Sequence, residues 1–336
     1  MSIVLVGGTG TLGREIARQL SMTSTYPITI FSRDEFKQHE MRREFPNFNY
    51  VLGDVRDLAS LDPVMRTAST VFLLAAIKHI EAAEQNPLEA LKTNCIGAAN
   101  VAESALEHGV DYVVYSNTDK AVLPITTYGY TKAWAQNLLL SLNGRCHTAF
   151  SVFNWGNIAG SRGSVIPSFV ASLLRDKTVQ VTAPGMSRFW MTIEQAAGFM
   201  LANYEKAPPE RAMIPPVKAA AVMRIVSTIA SILQITDVKA EITGLRGIEK
   251  LHEVLESSHD SCLRSDTCEQ YTDAELFYML RPIVLKEVKA CASTFTGSAA
   301  EWANDIVRSS EASDTRSPAK TSKKSKARHL KVTPSS

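Results

Sequence analysis

The 336-residue chain has no C-x-x-C pair, no H-E-x-x-H and no internal repeat. It also lacks an apolar run of the roughly 18 residues that a membrane-spanning helix needs. Its five cysteines, Cys95, Cys146, Cys262, Cys268 and Cys291, are scattered and odd in number. That excludes a disulfide framework and a thiolate zinc site, and reduced thiols are the expectation. His252-Glu253 has no second histidine one turn on, so no metal site is expected. The opening MSIVLVGGTG is strand-like, with no basic segment ahead of a long apolar one, so a secretory signal is not expected and the chain reads as cytoplasmic.

Composition is ordinary for a globular protein, 45% hydrophobic and 21% charged, enough for one large or two modest domains without covalent staples. Charge is nearly balanced, with 36 Lys and Arg against 34 Asp and Glu, but unevenly spread. Arg316–Ser336 holds seven basic residues and no acid, leaving 29 basic against 34 acidic residues before it. This Ser/Lys-rich end, 309–336, is expected to be a disordered tail. Such a tail could touch an anionic surface, but a solvated extension is the simpler reading, and nucleic acid is not an expected partner.

The first half alternates short apolar runs (IVLVG, ITIF, NYVLG, VFLLAA, YVVYS) with helical patterns, and a further strand, TAFSVFNW, follows. Strands separated by helices imply a parallel sheet with right-handed crossovers, a doubly wound α/β fold. The expected division is a Rossmann domain over 1–157, with parts of 190–215 returning to it. A smaller, mainly substrate-binding α/β domain over 158–290 and a divergent segment over 291–308 would follow.

Directly after the first strand, VGGTGTLG places Gly7, Gly10 and Gly13 in a strand–turn–helix context. Glycines there allow a tight turn, backbone approach to a pyrophosphate and close helix packing, with the helix N-terminus facing the phosphates. At the end of the second strand, Ser32-Arg33 stands where an NAD-binding domain usually carries an acid, with Lys37 a turn on. A hydroxyl and a guanidinium suit a 2′-phosphate, so NADP is favoured over NAD. Asp54 follows the third strand, where an acid commonly meets adenine.

Thr118-Asp119-Lys120 follows the fifth strand, and Tyr128 and Lys132 stand at i and i+4 on the next helix. An ammonium near a phenol lowers its pKa and makes it a usable acid or base. Tyr130 is out of register with that face.

These residues resemble an extended short-chain dehydrogenase/reductase. FSRDEFKQ, GDVRDL, AAIKHI with NPLEALKTN, TDKA, ITTYGYTK, GNIAGSRGSVIP, MSRFWMT and EKLHEV are together similar to the inverting, 5-epimerising UDP-N-acetylglucosamine 4,6-dehydratases of polysaccharide biosynthesis, over about residues 3 to 285. The resemblance implies hydride removal from C4 onto NADP, loss of water across C5 and C6, and hydride return to C6. Tyr128 would be the O4 base, supported by Lys132 and Thr118, with Lys120 the C5 base and Asp119 the C6 acid. For these roles Lys120 must be able to be neutral and Asp119 protonated. Cofactor contacts implied are Gly7, Thr9, Gly10, Thr11, Leu12, Gly13, Ser32, Arg33, Lys37, Asp54, Val55, Ala75, Ala76, Lys78, Tyr128 and Lys132. Lys78, Asn94, Asn157, Arg162, Ser164, Val165, Arg188, Arg246 and Glu249 would hold the UDP-sugar, and a homo-oligomer is implied.

Tyrosine at 128 favours the inverting type, since similar retaining enzymes carry Met there. The chain departs from the family where R-Y-G-N is Asn154-Trp155-Gly156-Asn157, S-T-D-K is Asn117-Thr118-Asp119-Lys120, and R-P-G-E-K is Arg246-Gly247-Ile248-Glu249-Lys250. A nucleotide-sugar 4-epimerase using Tyr128 and Lys132 alone, and an inactive NADP-binding scaffold, stay open as alternatives.

Overall fold

The computed structural model describes residues 2–161, 163–257, 261–292 and 331–334. The chain divides into two compact units, Met1–Ser161 with Met191–Val217 and Glu253–Arg264, and Arg162–Trp190 with Lys218–His252 and Ser265–Ser336.

In the first unit six strands, β1 (Ser2–Val6), β2 (Ile28–Ser32), β3 (Asn49–Leu52), β4 (Ala68–Leu73), β5 (Tyr112–Ser116) and β6 (Ala149–Phe153), form one parallel sheet in the order β3-β2-β1-β4-β5-β6. The intervening helices are α1 (Thr11–Thr23), α2 (Glu35–Glu44), α3 (Leu58–Met65), α4 (Ile80–Gln85), α5 (Pro87–Ala90), α6 (Gly97–His108) and α7 (Thr127–Leu142). A π-helical segment, Leu91–Ile96, joins α5 to α6.

Side chains alternate across a strand, so one strand can feed two cores. Ile3 and Leu5 of β1 pack with Ile16 and Ala17 of α1, while Val4 and Val6 pack on the other face with Val101 and Ala105 of α6 and Leu139 of α7. The helix Ile193–Asn203 returns to the first of these cores through Ala196, Ala197 and Met200. Its start is fixed by a reciprocal cap, Gln195 N donating to Thr192 Oγ1 and Thr192 N to Gln195 Oε1. The antiparallel strands Val254–Ser257 and Cys262–Arg264 also belong to this unit.

The second unit packs the helices Val165–Asp176, Val222–Ile232 and Asp273–Ala292. Leu276, Leu280, Val284 and Val288 recur every fourth residue and are wholly buried, giving Asp273–Ala292 an apolar stripe. Thr178–Val181 and Lys239–Ile242 pair in parallel, and Ser187–Met191 runs antiparallel to Lys218–Ala221. The tail expected to be without structure contributes Lys331–Pro334 as a parallel strand on Lys239–Ile242. The extended Lys-Val-Thr run suits an open sheet edge; the rest of 293–336 lies outside the described residues.

Beyond β5 the sheet ladder continues, Asn117 N donating to Phe153 O at 2.8 Å and Asp119 N to Trp155 O at 2.7 Å. Thr118 then caps a 3₁₀ turn, Asp119–Ala121, by accepting from Lys120 N. Helix α7 starts six residues on from that turn, capped by Thr126, whose Oγ1 accepts from Gly129 N at 3.0 Å. A Cβ on Gly129 would stand 2.4 Å from the Lys120 carbonyl oxygen, so only hydrogen fits between the helix and the turn. Overpacking of this kind against backbone costs about 1–3 kcal/mol. Gly129→Ala is therefore expected to lower the midpoint of thermal unfolding by the equivalent of that loss. An unchanged midpoint would show that the helix can move away freely.

Candidate active site

Strand order reverses between β1 and β4, and the loops leaving those two strands meet there. Gly7 has φ +82°, and a Cβ on it would lie 2.6 Å from Ala75 N. A Cβ on Gly13 would lie 2.4 Å from Gly8 O, so α1 rests directly on the preceding turn. Gly10 is the N-cap of α1, where no side chain caps the helix. This cradle leaves backbone N–H groups to meet a pyrophosphate, which is what a dinucleotide requires. Thr9 is buried, Thr11 and Leu12 half-buried in the first turn, Ala75 and Ala76 half-buried and Lys78 exposed on the β4 loop.

At the end of β2, buried Ser32 is held by Gln38, whose Nε2 donates to its carbonyl and hydroxyl and to Val51 O. Lys37 is paired with Asp34, the cap of α2. Arg33 is 59% exposed and stands 3.8 Å from Asp54. Asp54 is gripped by Arg56, Nε to Oδ2 at 2.9 Å, and the Arg56 hydrogen bonds hold its carboxyl below the usual range, with Arg33 adding a weaker pull. Val55 is buried against Gly97, at the start of α6.

Thr118, Asp119, Lys120 and Tyr128 come together. Asp119 is fully buried, and its Oδ1 accepts from Thr118 Oγ1 and Lys120 Nζ, each at 2.9 Å. Its Oδ2 has no hydrogen-bond partner among the described residues. Lys120 Nζ also lies 3.5 Å from Asn157 Oδ1 and 3.6 Å from Glu253 Oε1. Burial raises the Tyr128 phenol, while the Lys120 charge and a hydrogen bond with Thr118 pull it back down.

The expected pairing of Tyr128 with the Lys132 charge needs correction. Lys132 Nζ donates to Ser116 O at 2.6 Å and sits 3.9 Å above the Tyr115 ring. Burial lowers its pKa to about 7. The cation that acts on Tyr128 is Lys120, which the helical i, i+4 spacing does not show.

Asn94 is similarly recast. Its amide is committed to Ile77 N and O and to Thr131 Oγ1, so it braces the β4 loop against α7. In the second unit, Ser164 is the N-cap residue of Val165–Asp176, and Val165 is exposed. Arg188 is buried with its guanidinium on the carbonyls of Ser187, Lys250 and Leu251, while Arg246 pairs with Glu249 at 3.2 Å. Arg162 lies outside the described residues.

Sequence reasoning missed Glu253, whose side chain is 4% exposed. In sequence, His252-Glu253 suggests only a helical metal spacing, whereas the residue enters just before a strand. It also missed a buried amide set: Asn117 Nδ2 donates to Asn154 Oδ1 at 2.8 Å and to Gln136 Oε1 at 2.7 Å. Ser187, His252 and Asp266 line up superficially like a hydrolase relay, but Ser187 is buried and its Oγ also meets Ser265 Oγ at 2.8 Å, a structural seam. Among the described residues no group of His, Cys, Asp and Glu could hold a metal ion, and no helix is long and apolar enough to cross a membrane.

Residues 3–275 match the family described as polysaccharide biosynthesis protein. The chain is 37% identical over 270 residues to a UDP-N-acetylglucosamine 4,6-dehydratase (inverting) of Campylobacter jejuni, covering 78% of this chain and 79% of the relative. A UDP-glucose 4-epimerase of Rickettsia bellii is 32% identical over 279 residues, covering 80% and 82%. The crystal structure of Pen from Bacillus thuringiensis superposes with a TM-score of 0.78 at 29% identity, covering 84% of this chain and 97% of that one. With its Gly7–Gly13 turn, its reversed parallel sheet and its Tyr128/Lys132 helix inside the matched span, the chain belongs to the polysaccharide biosynthesis protein family.

Proposed function

We propose that this chain is a nucleotide-sugar 4,6-dehydratase that inverts C5, acting on UDP-N-acetylglucosamine in surface glycan biosynthesis. The observation that carries this reading is buried Asp119 paired with half-buried Lys120 beside Tyr128. A 4-epimerase needs the tyrosine alone, whereas dehydration needs a further base and a further acid at C5 and C6. A nicotinamide cofactor bound at the glycine turn would take hydride from C4 and return it to C6. The protein's own part is then the movement of protons.

Tyr128 enters as the phenolate, beside Thr118, and takes the O4 proton. Lys120 then takes the C5 proton, which the C4 ketone has acidified. Asp119 gives a proton to the C6 oxygen as it leaves. Lys132 contributes through the Ser116 carbonyl, fixing α7 to the end of β5. Asn157 and Lys78 would meet the sugar, and Arg246 would exchange Glu249 for a diphosphate oxygen. Arg188 organises the backbone of 250–251 that precedes Glu253.

Incubation with UDP-N-acetylglucosamine is expected to yield a product lighter by one water, with no external cofactor consumed. Lys120→Ala is expected to slow this by about a hundredfold or more while cofactor binding persists. Unchanged substrate, with folded and cofactor-loaded protein, would overturn the reading. The 32% identity to a 4-epimerase supports a second reading. Solvent deuterium separates the two: dehydration with inversion labels C5, and simple epimerisation does not.

The cofactor is proposed to be NADP. The strand β2 ends on Ser32 rather than on an acid, and Arg33, the residue that follows, is 59% exposed. Arg33→Ala is expected to weaken NADP binding about tenfold and NAD binding by less than about twofold. Equal losses for both would remove Arg33 from 2′-phosphate recognition.

We also propose a homo-oligomer. Tyr130 and Trp134 stand one turn apart on α7, 60% and 47% exposed, and Leu88, Leu91 and Ile96 are exposed on α5 and the Leu91–Ile96 segment, which pack against α7. An apolar face of this kind marks a protein contact, and a second copy of the chain is its proposed occupant. Light scattering should give a multiple of the chain mass that Trp134→Lys lowers; a monomeric native protein would overturn the assignment.

A further inference from the structure

We infer that Glu84 is a positioning residue for Tyr128: together with the Asn94 amide, its carboxylate clamps the segment 77–85 onto α7 and so fixes the phenol that meets the sugar O4. This rests on the reading above only for Tyr128 as the O4 base, a role that a dehydratase and a 4-epimerase share. Helix α4 has little of its own to hold it in place. It is six residues long, its N-cap His79 makes no side-chain cap, and Ala83 is its buried residue. Yet Ala83 and Ile80 of α4, with Ile77 ahead of it and Ala90 of α5, form one apolar cluster with the Tyr128 ring. A wall of the phenol's pocket is thus a helix too short to stand by itself.

Two side chains tie that segment to α7 on either side of Tyr128. Glu84 Oε1 accepts from Thr127 N at 2.6 Å and its Oε2 from Thr127 Oγ1 at 3.1 Å. Asn94 Oδ1 accepts from Ile77 N at 2.9 Å, while its Nδ2 donates to Ile77 O at 3.1 Å and to Thr131 Oγ1 at 3.0 Å. Thr127 and Thr131 stand at i and i+4, on one face of α7, with Tyr128 between them in the chain. Thr127 is the first residue of α7, so its N–H has no acceptor within the helix, and a carboxylate there also meets the positive end of the helix dipole. A bond from backbone N–H to carboxylate is charge-assisted, which lets an exposed side chain such as Glu84 hold position. The chain neighbours of Tyr128 are then fixed from different directions, Thr127 by α4 and Gly129 by Thr126 and the Lys120 carbonyl. Without the Glu84 carboxylate, Asn94 still holds Ile77, but the α4 end of the clamp is open. Ile80 and Ala83 can then lift from the ring, and the phenol can leave the position from which it reaches O4.

The test is Glu84→Ala, which removes both bonds, beside Glu84→Gln, which keeps one acceptor oxygen for Thr127. With cofactor-loaded protein and saturating UDP-N-acetylglucosamine, the rise of reduced-nicotinamide absorbance in a single turnover should slow by about tenfold in Glu84→Ala and by less in Glu84→Gln. Cofactor affinity and KM should move by less than about twofold, the pattern of a group that acts on the reacting geometry rather than on binding. Independently of turnover, amide hydrogen exchange over α4 and residues 127–129 should be faster in Glu84→Ala, with β5 and β6 unchanged. A native single-turnover rate in Glu84→Ala, a rise in KM with no loss of rate at saturation, or unchanged exchange would each overturn the assignment. Faster exchange spread over β5 and β6 would mark a general loss of stability and overturn it as well. If the native protein oxidises the sugar but removes no water, the dehydratase reading fails and the Glu84 assignment is still decided by these rates. If it oxidises no sugar, both fall.

Discussion

The site depends on a helix laid against a 3₁₀ turn with only a hydrogen atom between them. Gly129 meets the Lys120 carbonyl, and Lys132, one turn later, reaches the Ser116 carbonyl at the end of β5. Helix α7 is thereby pinned to the β5 segment at two points, and Tyr128 stands beside the first. From the other side, Asp119 is tied to β6 through the Trp155 carbonyl. The acid, the base and the phenol are each placed by backbone contacts, which hold position better than side-chain contacts alone.

Burial then sorts the titratable groups. It drives Tyr128 up and Lys132 down, moving both toward their neutral forms. A charge at this depth persists only where it is paired. The ionic character of the cluster is therefore concentrated on Lys120 and the two carboxylates that touch it. The Lys120 charge also acts on Tyr128, against the effect of burial.

Much of this is legible in the sequence because it is local. Gly7, Gly10 and Gly13 announce the turn, since only glycine tolerates the φ of the first and the backbone contact of the third. Alternating apolar runs and helical patterns give the parallel sheet, and Thr118 to Lys132 lie within fifteen residues of one another. What was not legible is what the chain brings from afar or commits elsewhere. Glu253 arrives 133 positions after Lys120 in the chain, and no local period marks it. Asn94 has the right neighbourhood for a sugar contact, but its amide is filled by backbone that a sequence does not display. Helical spacing correctly placed Tyr128 and Lys132 on one face, yet spacing alone cannot say that the ammonium points at a carbonyl and a ring.

The departures from the family pattern at 117 and 154 look unrelated in sequence, yet they are one change. Asn117 and Asn154 share a hydrogen bond, and Gln136 takes the other proton of the Asn117 amide. Where the family carries arginine at 154, this chain buries a neutral amide directly behind the Thr118–Lys120 turn. A guanidinium there would place a fixed charge behind the turn, and an amide does not, so the charge that the turn meets is carried by Lys120 and by the carboxyl groups in contact with it.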